Sequence, residues 1–194
     1  MDIFAKPDPI DTDIVANLGP LAVLAGHWVG DQGIDRSPGA EGPVETAYRE
    51  QATFEPVGPV VNGPQVLYGL RYTTVAWPQG EEDPFHEEVG YWLWDPAASQ
   101  VMRCFMVPRG VTILAGGKAD ATSRRFDMEA QRGSEVFGIL SNPFLDRGFQ
   151  TIRYELSVEI DAEGRFTYEE DTIMKLAGDG EPFHHTDRNT LSKR

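Results

Sequence analysis

This chain of 194 residues contains a single cysteine, Cys104, and four histidines. One thiol cannot form an internal disulfide, and a zinc site built on paired cysteines is excluded. No trio of His, Cys or carboxylate ligands has helical or hairpin zinc spacing. Basic residues are scarce. Lys+Arg number 17 against 31 Asp+Glu, a formal net charge of −14. Such a balance repels phosphate backbones and anionic lipid, so neither nucleic acid nor a membrane surface is expected as partner. No apolar run approaches the roughly 20 residues of a membrane helix. The opening stretch MDIFAKPDPIDTD carries charges and prolines where a secretory signal would be apolar, and a cytoplasmic protein is expected. G-x-S-x-G, G-x-G-x-x-G and P-loop strings do not occur. No catalytic residue is named, because on so acidic a surface any carboxylate pair reads as solvated.

What is present is period-two alternation. In TIRYELSVEI (151–160), Ile152, Tyr154, Leu156, Val158 and Ile160 alternate with Thr151, Arg153, Glu155, Ser157 and Glu159. A half-buried antiparallel strand needs that period. The turn DAEGR follows, and 166–176 pairs back as a hairpin. Further strands are expected at 27–34, 46–55, 65–77, 86–95, 101–107, 111–116, 124–130 and 183–191, separated by turn-like SPGAEGP, NGP, WPQGEEDP, DPAASQ, PRG and GGKAD. Residues 138–148 read as the longest unstructured piece. Residues 1–12 read as a tail broken by Pro7 and Pro9. Residues 13–26 read as one short amphipathic helix interrupted by Pro20, and 13–194 as one domain. About ten short antiparallel strands and one helix without a repeat predict an all-β, up-and-down barrel of the lipocalin or fatty-acid-binding type, with the helix plugging one mouth. Its interior suits one ligand.

The chemistry-bearing residues are few. In PFHHTDRNTL, strand geometry sends one of His184 and His185 inward and the other outward. An inward imidazole can ligate a metal or a haem iron. His86, which opens a strand, suits the opposite wall. His27 reads as packing where the helix hands over to the first strand. Cys104, between Met102 and Met106, reads as a buried inert thiol. In HWVGDQG (27–33), Trp28 suits the seal of a closed barrel end, and Gly30 and Gly33 permit a bulge or close backbone contact.

Gly26, Trp28, Gly30 and Gly33 resemble the G-x-W-x-G-x-G pattern that opens the nitrobindins, haem-binding β-barrels, with one extra residue before the last glycine. AYREQATFEPVG (47–58) resembles the second strand of that family, and LYGLRYTTVAW (67–77) the strand before its distal wall. Phe85 to Tyr91 resembles its H-x-E-x-G-Y segment. Met174, followed about ten residues on by a histidine, resembles its closing Met…His element. The resemblance runs in one order over 21–194. It implies a ten-stranded barrel holding one haem b, with a C-terminal histidine as the iron ligand. Counting from Met174 favours His184, and counting back from the C-terminus favours His185. It places Trp28, Gly30, Gly33, His86 and Met174 around the cofactor, with His86 on the pocket wall and not bonded to iron. It implies nitric oxide binding and isomerisation of peroxynitrite to nitrate. Two other readings use the same barrel. One is a lipocalin-like carrier of a small apolar ligand, filled by Met102, Phe105 and Met106. The other is a polar cavity using His86, Glu87 and Arg109. The acidic surface disfavours loose self-association but is compatible with a specific homodimer.

Overall fold

Where the sequence alternates with period two, the backbone forms hydrogen-bonded strands. A computed structural model describes residues 2–178 and 180–194. Among these, β1 (Gly26–Gly39), β2 (Gly42–Asn62), β3 (Gln65–Pro78), β4 (His86–Asp95), β5 (Gln100–Val107), β6 (Val111–Lys118), β7 (Arg125–Gln131), β8 (Ile139–Ser141), β9 (Phe149–Ile160), β10 (Phe166–Leu176) and β11 (Phe183–Lys193) form one antiparallel sheet. Its order is β5-β4-β3-β2-β1-β11-β10-β9-β7-β6, and the β5–β6 pairing closes it into a barrel. The short β8 shares a position with β7, because both pair the same side of β6. The expected ten-position antiparallel barrel is therefore present, and among the described residues closure leaves only the short β8 with an unpaired edge.

Three expectations need correction. The N-terminal helix is two 3₁₀ turns, Val15–Asn17 and Gly19–Leu24. Gly19, at φ +55°, and Pro20 break the hydrogen-bond ladder that a longer helix requires. These turns still plug one end: Leu18, Leu21 and Leu24 are fully buried in the core, and the Trp28 indole N–H donates to the Leu24 carbonyl at 2.7 Å. The 138–148 segment is not structureless. It holds β8 and then α1 (Pro143–Gly148), whose N-cap Asn142 accepts from the Phe144 and Leu145 amides. The alternation of β9 does not run through its start. Thr151 pairs with Met174 and Arg153 with Ile173, so Ile152 is the extra residue of a bulge. The bulge turns Thr151 into the interior in place of Ile152, and Thr151 and Met174 both line the cavity.

Candidate functional site

Inward residues of every strand except β7 and β8, with α1 at the rim, enclose a cavity of about 600 Å³. Its two sides differ. The side formed by β5, β6, α1 and β9 is apolar, with Phe105, Val107, Val111, Ile113, Leu145 and Leu156. The side formed by β1 to β4, β10 and β11 carries Asp35, Glu50, Glu88, Glu170 and Asp187, with His86 and His185. Arg103 projects from β5 between them.

Arg103 is 6% exposed and lies in two ion pairs, with Glu88 and, at 2.8 Å, with Glu170. It also donates to the Tyr72 hydroxyl at 3.1 Å and to the Tyr154 hydroxyl, and it packs 4.3 Å from the Phe105 ring centroid. A cation so buried persists only when it is paired. Glu88 spans Arg103 and His86: its Oε2 accepts from Arg103 and Tyr72, and its Oε1 meets His86 Nε2 at 3.2 Å. Burial would raise the Glu88 pKa, but the Arg103 charge and the His86 hydrogen bond hold it down at about 2. Burial would lower the His86 pKa, but the Glu88 carboxylate outweighs it and raises that pKa. Glu88 thus keeps a proton on His86 Nε2.

A second network is built around Tyr48 on β2. Its hydroxyl lies 2.5 Å from Asp187 and 2.7 Å from the Tyr168 hydroxyl. Tyr168 in turn donates to Glu50 at 2.9 Å. Glu50 also accepts from Thr74 at 2.7 Å and Asn189 at 3.0 Å. Burial raises the Glu50 pKa, and burial plus the charge of Glu170 raises that of Asp187 well above the ordinary carboxylate range. Neither carboxyl has a cation in an ion pair among the described residues.

The adjacent histidines separate as strand geometry requires. His185 lines the cavity, and its Nε2 lies 2.6 Å from Asp35. That carboxylate partner assigns the proton to Nε2 and leaves the lone pair on Nδ1. His184 points outward to Asp171 at 2.6 Å, with its side chain 56% exposed. Of the two candidates, His185 is the one that faces the cavity. His86 and Met174 lie in the cavity wall. Trp28, Gly30 and Gly33 do not. Trp28 belongs to the packed end, with its indole held by Leu24. Gly30 and Gly33 flank the irregularity in the β1–β2 register and admit neighbouring side chains closely. A Cβ at Gly30 would stand 2.7 Å from the Thr190 carbonyl oxygen.

Of the residues expected to fill an apolar interior, Phe105 does so, while Met102, Cys104 and Met106 share the opposite parity and face outward. Burial still raises the Cys104 thiol pKa. Arg109 reaches the cavity rim, whereas Glu87 is exposed outside. Arg103, Glu50, Glu88, Glu170 and Tyr48 build these networks although none was a candidate site residue. The available signal was strand parity: Arg103 stands between inward Val101 and Phe105, and Glu88 two residues after His86.

The cavity's donor set fits a planar, largely apolar cofactor with an iron centre. It has an apolar flank, one inward imidazole oriented by a carboxylate, a second imidazole on the wall, and a cation, Arg109, at the rim.

Comparison with known proteins agrees. The family model described as THAP4-like, heme-binding beta-barrel domain matches residues 17–193. Among solved structures, Rv2717c from M. tuberculosis is similar with a TM-score of 0.63 at 21% identity, over 94% of this chain and 98% of that one. At that identity the likeness is one of fold. No curated protein matches the chain.

Proposed function

The chain belongs to the family of THAP4-like, haem-binding β-barrel domains, and on that premise we propose that its cavity holds one b-type haem, with His185 as the residue that would hold the iron. The observation that carries the assignment is the inward His185 ring, fixed by Asp35 at the wall of a cavity with an apolar flank. Asp35 sets the tautomer and makes the imidazole a better donor, as carboxylate partners do for metal-bound histidines. Arg109 at the rim is the cation a propionate would meet. A haem held there would supply the chemistry for binding nitric oxide and isomerising peroxynitrite to nitrate. The chain's own contribution there is His86, whose pKa Glu88 raises; that shift favours the cationic ring, which suits an anionic ligand. A lipocalin-like carrier of wholly apolar ligands fits less well, because such a ligand would lie against Glu50, Glu88, Glu170 and Asp187.

The test is a hemin titration followed by absorbance. Wild-type protein and His184→Ala are expected to give a sharp Soret band saturating at one equivalent, and His185→Ala to lose it. A broad free-hemin spectrum with the wild type would overturn the haem reading, and undiminished uptake by His185→Ala would overturn the ligand assignment. Peroxynitrite decay in the presence of the loaded protein then tests the isomerase activity.

A further inference from the structure

Among the described residues, hydrogen-bonded strands close the wall of the barrel, and Leu18, Leu21, Leu24 and Trp28 plug its far end. A ligand of the cavity therefore passes the opposite rim, where α1 and the β3–β4 connection both line the cavity. The two are held differently. The β3–β4 connection is tied by backbone bonds from Gln79 to the Ala47 carbonyl at 2.9 Å and from Phe85 to the Ala76 carbonyl at 3.0 Å, and the Phe85 ring packs edge-on against Tyr48. By contrast, α1 buries no residue. Its ends are anchored. The Asn142 amide donates to the Gly110 carbonyl at 2.9 Å and its side chain to the Arg109 carbonyl at 2.7 Å, while the Ala177 amide donates to the Gly148 carbonyl at 3.0 Å. Between those anchors, the ion pair that ties α1 to another element is Arg132–Asp146 at 2.6 Å. Leu145 is half-buried, and Phe144 and Phe149, which line the cavity, are 66% and 43% exposed. A turn of helix with so little buried apolar contact opens at low free energy.

We propose that α1 is the gate of the cavity. It swings on its anchored ends to admit and release the ligand, with Arg132–Asp146 as the latch and Phe144 and Phe149 as the apolar surface the ligand passes. Such a gate serves whatever the cavity holds, a haem or another apolar ligand. The latch joins α1 to the connection after β7, and neither of its side chains lines the cavity, so it acts on passage and not on the fit of the ligand. Both side chains are 36% exposed, so salt screens the pair and loosens the latch. Lids of this kind set the rate of exchange between a site and solvent while the scaffold beneath stays fixed.

Amide hydrogen exchange followed by NMR on the full chain tests the gate without any ligand. The Asp146 and Phe149 amides donate to the Asn142 and Leu145 carbonyls and report on α1 itself. They are expected to exchange far faster than the amides of Tyr154 and Leu156 in β9. Arg132→Gln is expected to speed them a further 2–5-fold, about what a partly solvated ion pair contributes, and to leave β9 unchanged. Added salt should speed α1 exchange in the wild type and not in the variant. Hemin is the probe for passage. Arg132→Gln is expected to raise its association rate and its rate of transfer to apomyoglobin by one common factor, with affinity unchanged, whereas a residue that shapes the site alters affinity. Exchange at Asp146 and Phe149 as slow as at Tyr154 and Leu156 overturns the gate. So does a latch variant that changes hemin affinity, or one that speeds α1 exchange and leaves both hemin rates as they were. A chain that takes up no hemin overturns the haem reading alone, and the exchange result still decides the gate.

Discussion

Gly33 and Tyr48 are one structural choice: a Cβ on residue 33 would stand 2.3 Å from the Tyr48 ring. The two residues pair across β1 and β2, and the bare glycine backbone is the surface on which the tyrosine lies. From there its hydroxyl reaches Tyr168 and Asp187. Gly33→Ala is therefore expected to push the ring away, break both links, and cost roughly 1–3 kcal/mol as an overpacking substitution. Gly148→Ala, where an added Cβ meets nothing within 4 Å, is the control and should be close to neutral. Urea unfolding of both variants measures the difference.

The Gly33 result bears on how far this site was legible in the chain. Strand order follows from alternation and hairpin turns, since each acts locally and antiparallel neighbours in sequence become neighbours in space. The inward choice between His184 and His185 needs one thing more, the parity of β11, which Leu191 and Asn189 set by being buried. The tyrosine–carboxylate and Arg103 networks were not legible. Tyr48 meets Asp187 across 139 residues, and Arg103 meets Glu170 across 67. No local pattern announces such pairs. A charged residue at an inward parity was the available clue, and the −14 balance concealed it by making carboxylates ordinary. The W-x-G-x-x-G motif pointed to the right fold for a packing reason, the close approach of side chains over Gly30 and Gly33, and not by touching the cavity.

Arg103 is expected to be the most costly single truncation in the cavity wall. Arg103→Met leaves Glu88 and Glu170 buried or half-buried without their cation, at about 3–5 kcal/mol. The loss depends on pH. In the wild type the Glu88 pKa is lowered from 4.5 to about 2, so its contribution is complete above the ordinary value and disappears as pH falls from about 4.5 toward 2. Without Arg103, burial is opposed only by His86 and Tyr72 and the protonated form of Glu88 is favoured more than in the wild type, so the variant regains stability in acid. The gap between wild type and variant should be wide at neutral pH and shrink as pH falls from about 4.5 toward 2, measured by urea unfolding at each pH.

Asp187 is expected to show the opposite sign. Its raised pKa means that folding is favoured while the carboxyl is protonated, and that this advantage is lost as pH rises through the folded-state value. Asp187→Asn keeps an oxygen to accept from Tyr48 and removes the titration. The variant should be more stable than the wild type in mild alkali and no more stable at pH 4. Thermal unfolding across the pH range tests this, and a gain that did not vary with pH would show that Asp187 carries no buried charge.

Asp35 and Asp171 provide a matched pair for the haem reading, because each holds one of the adjacent histidines at 2.6 Å and only Asp35 does so at the cavity. Asp35→Asn removes the carboxylate that orients His185, and loss of such a partner weakens metal ligation about 10–100-fold. Asp171→Asn acts on a ring that faces solvent and should leave hemin affinity unchanged. Hemin titrations of both variants, with circular dichroism to confirm folding, decide between an oriented axial ligand and a histidine that merely lines the wall. Equal affinities would remove Asp35 from the site. A selective loss in Asp35→Asn, accompanied by a changed Soret position at saturation, would show that the carboxylate acts on the iron through His185, since a purely structural role would alter occupancy without altering the spectrum of the bound form.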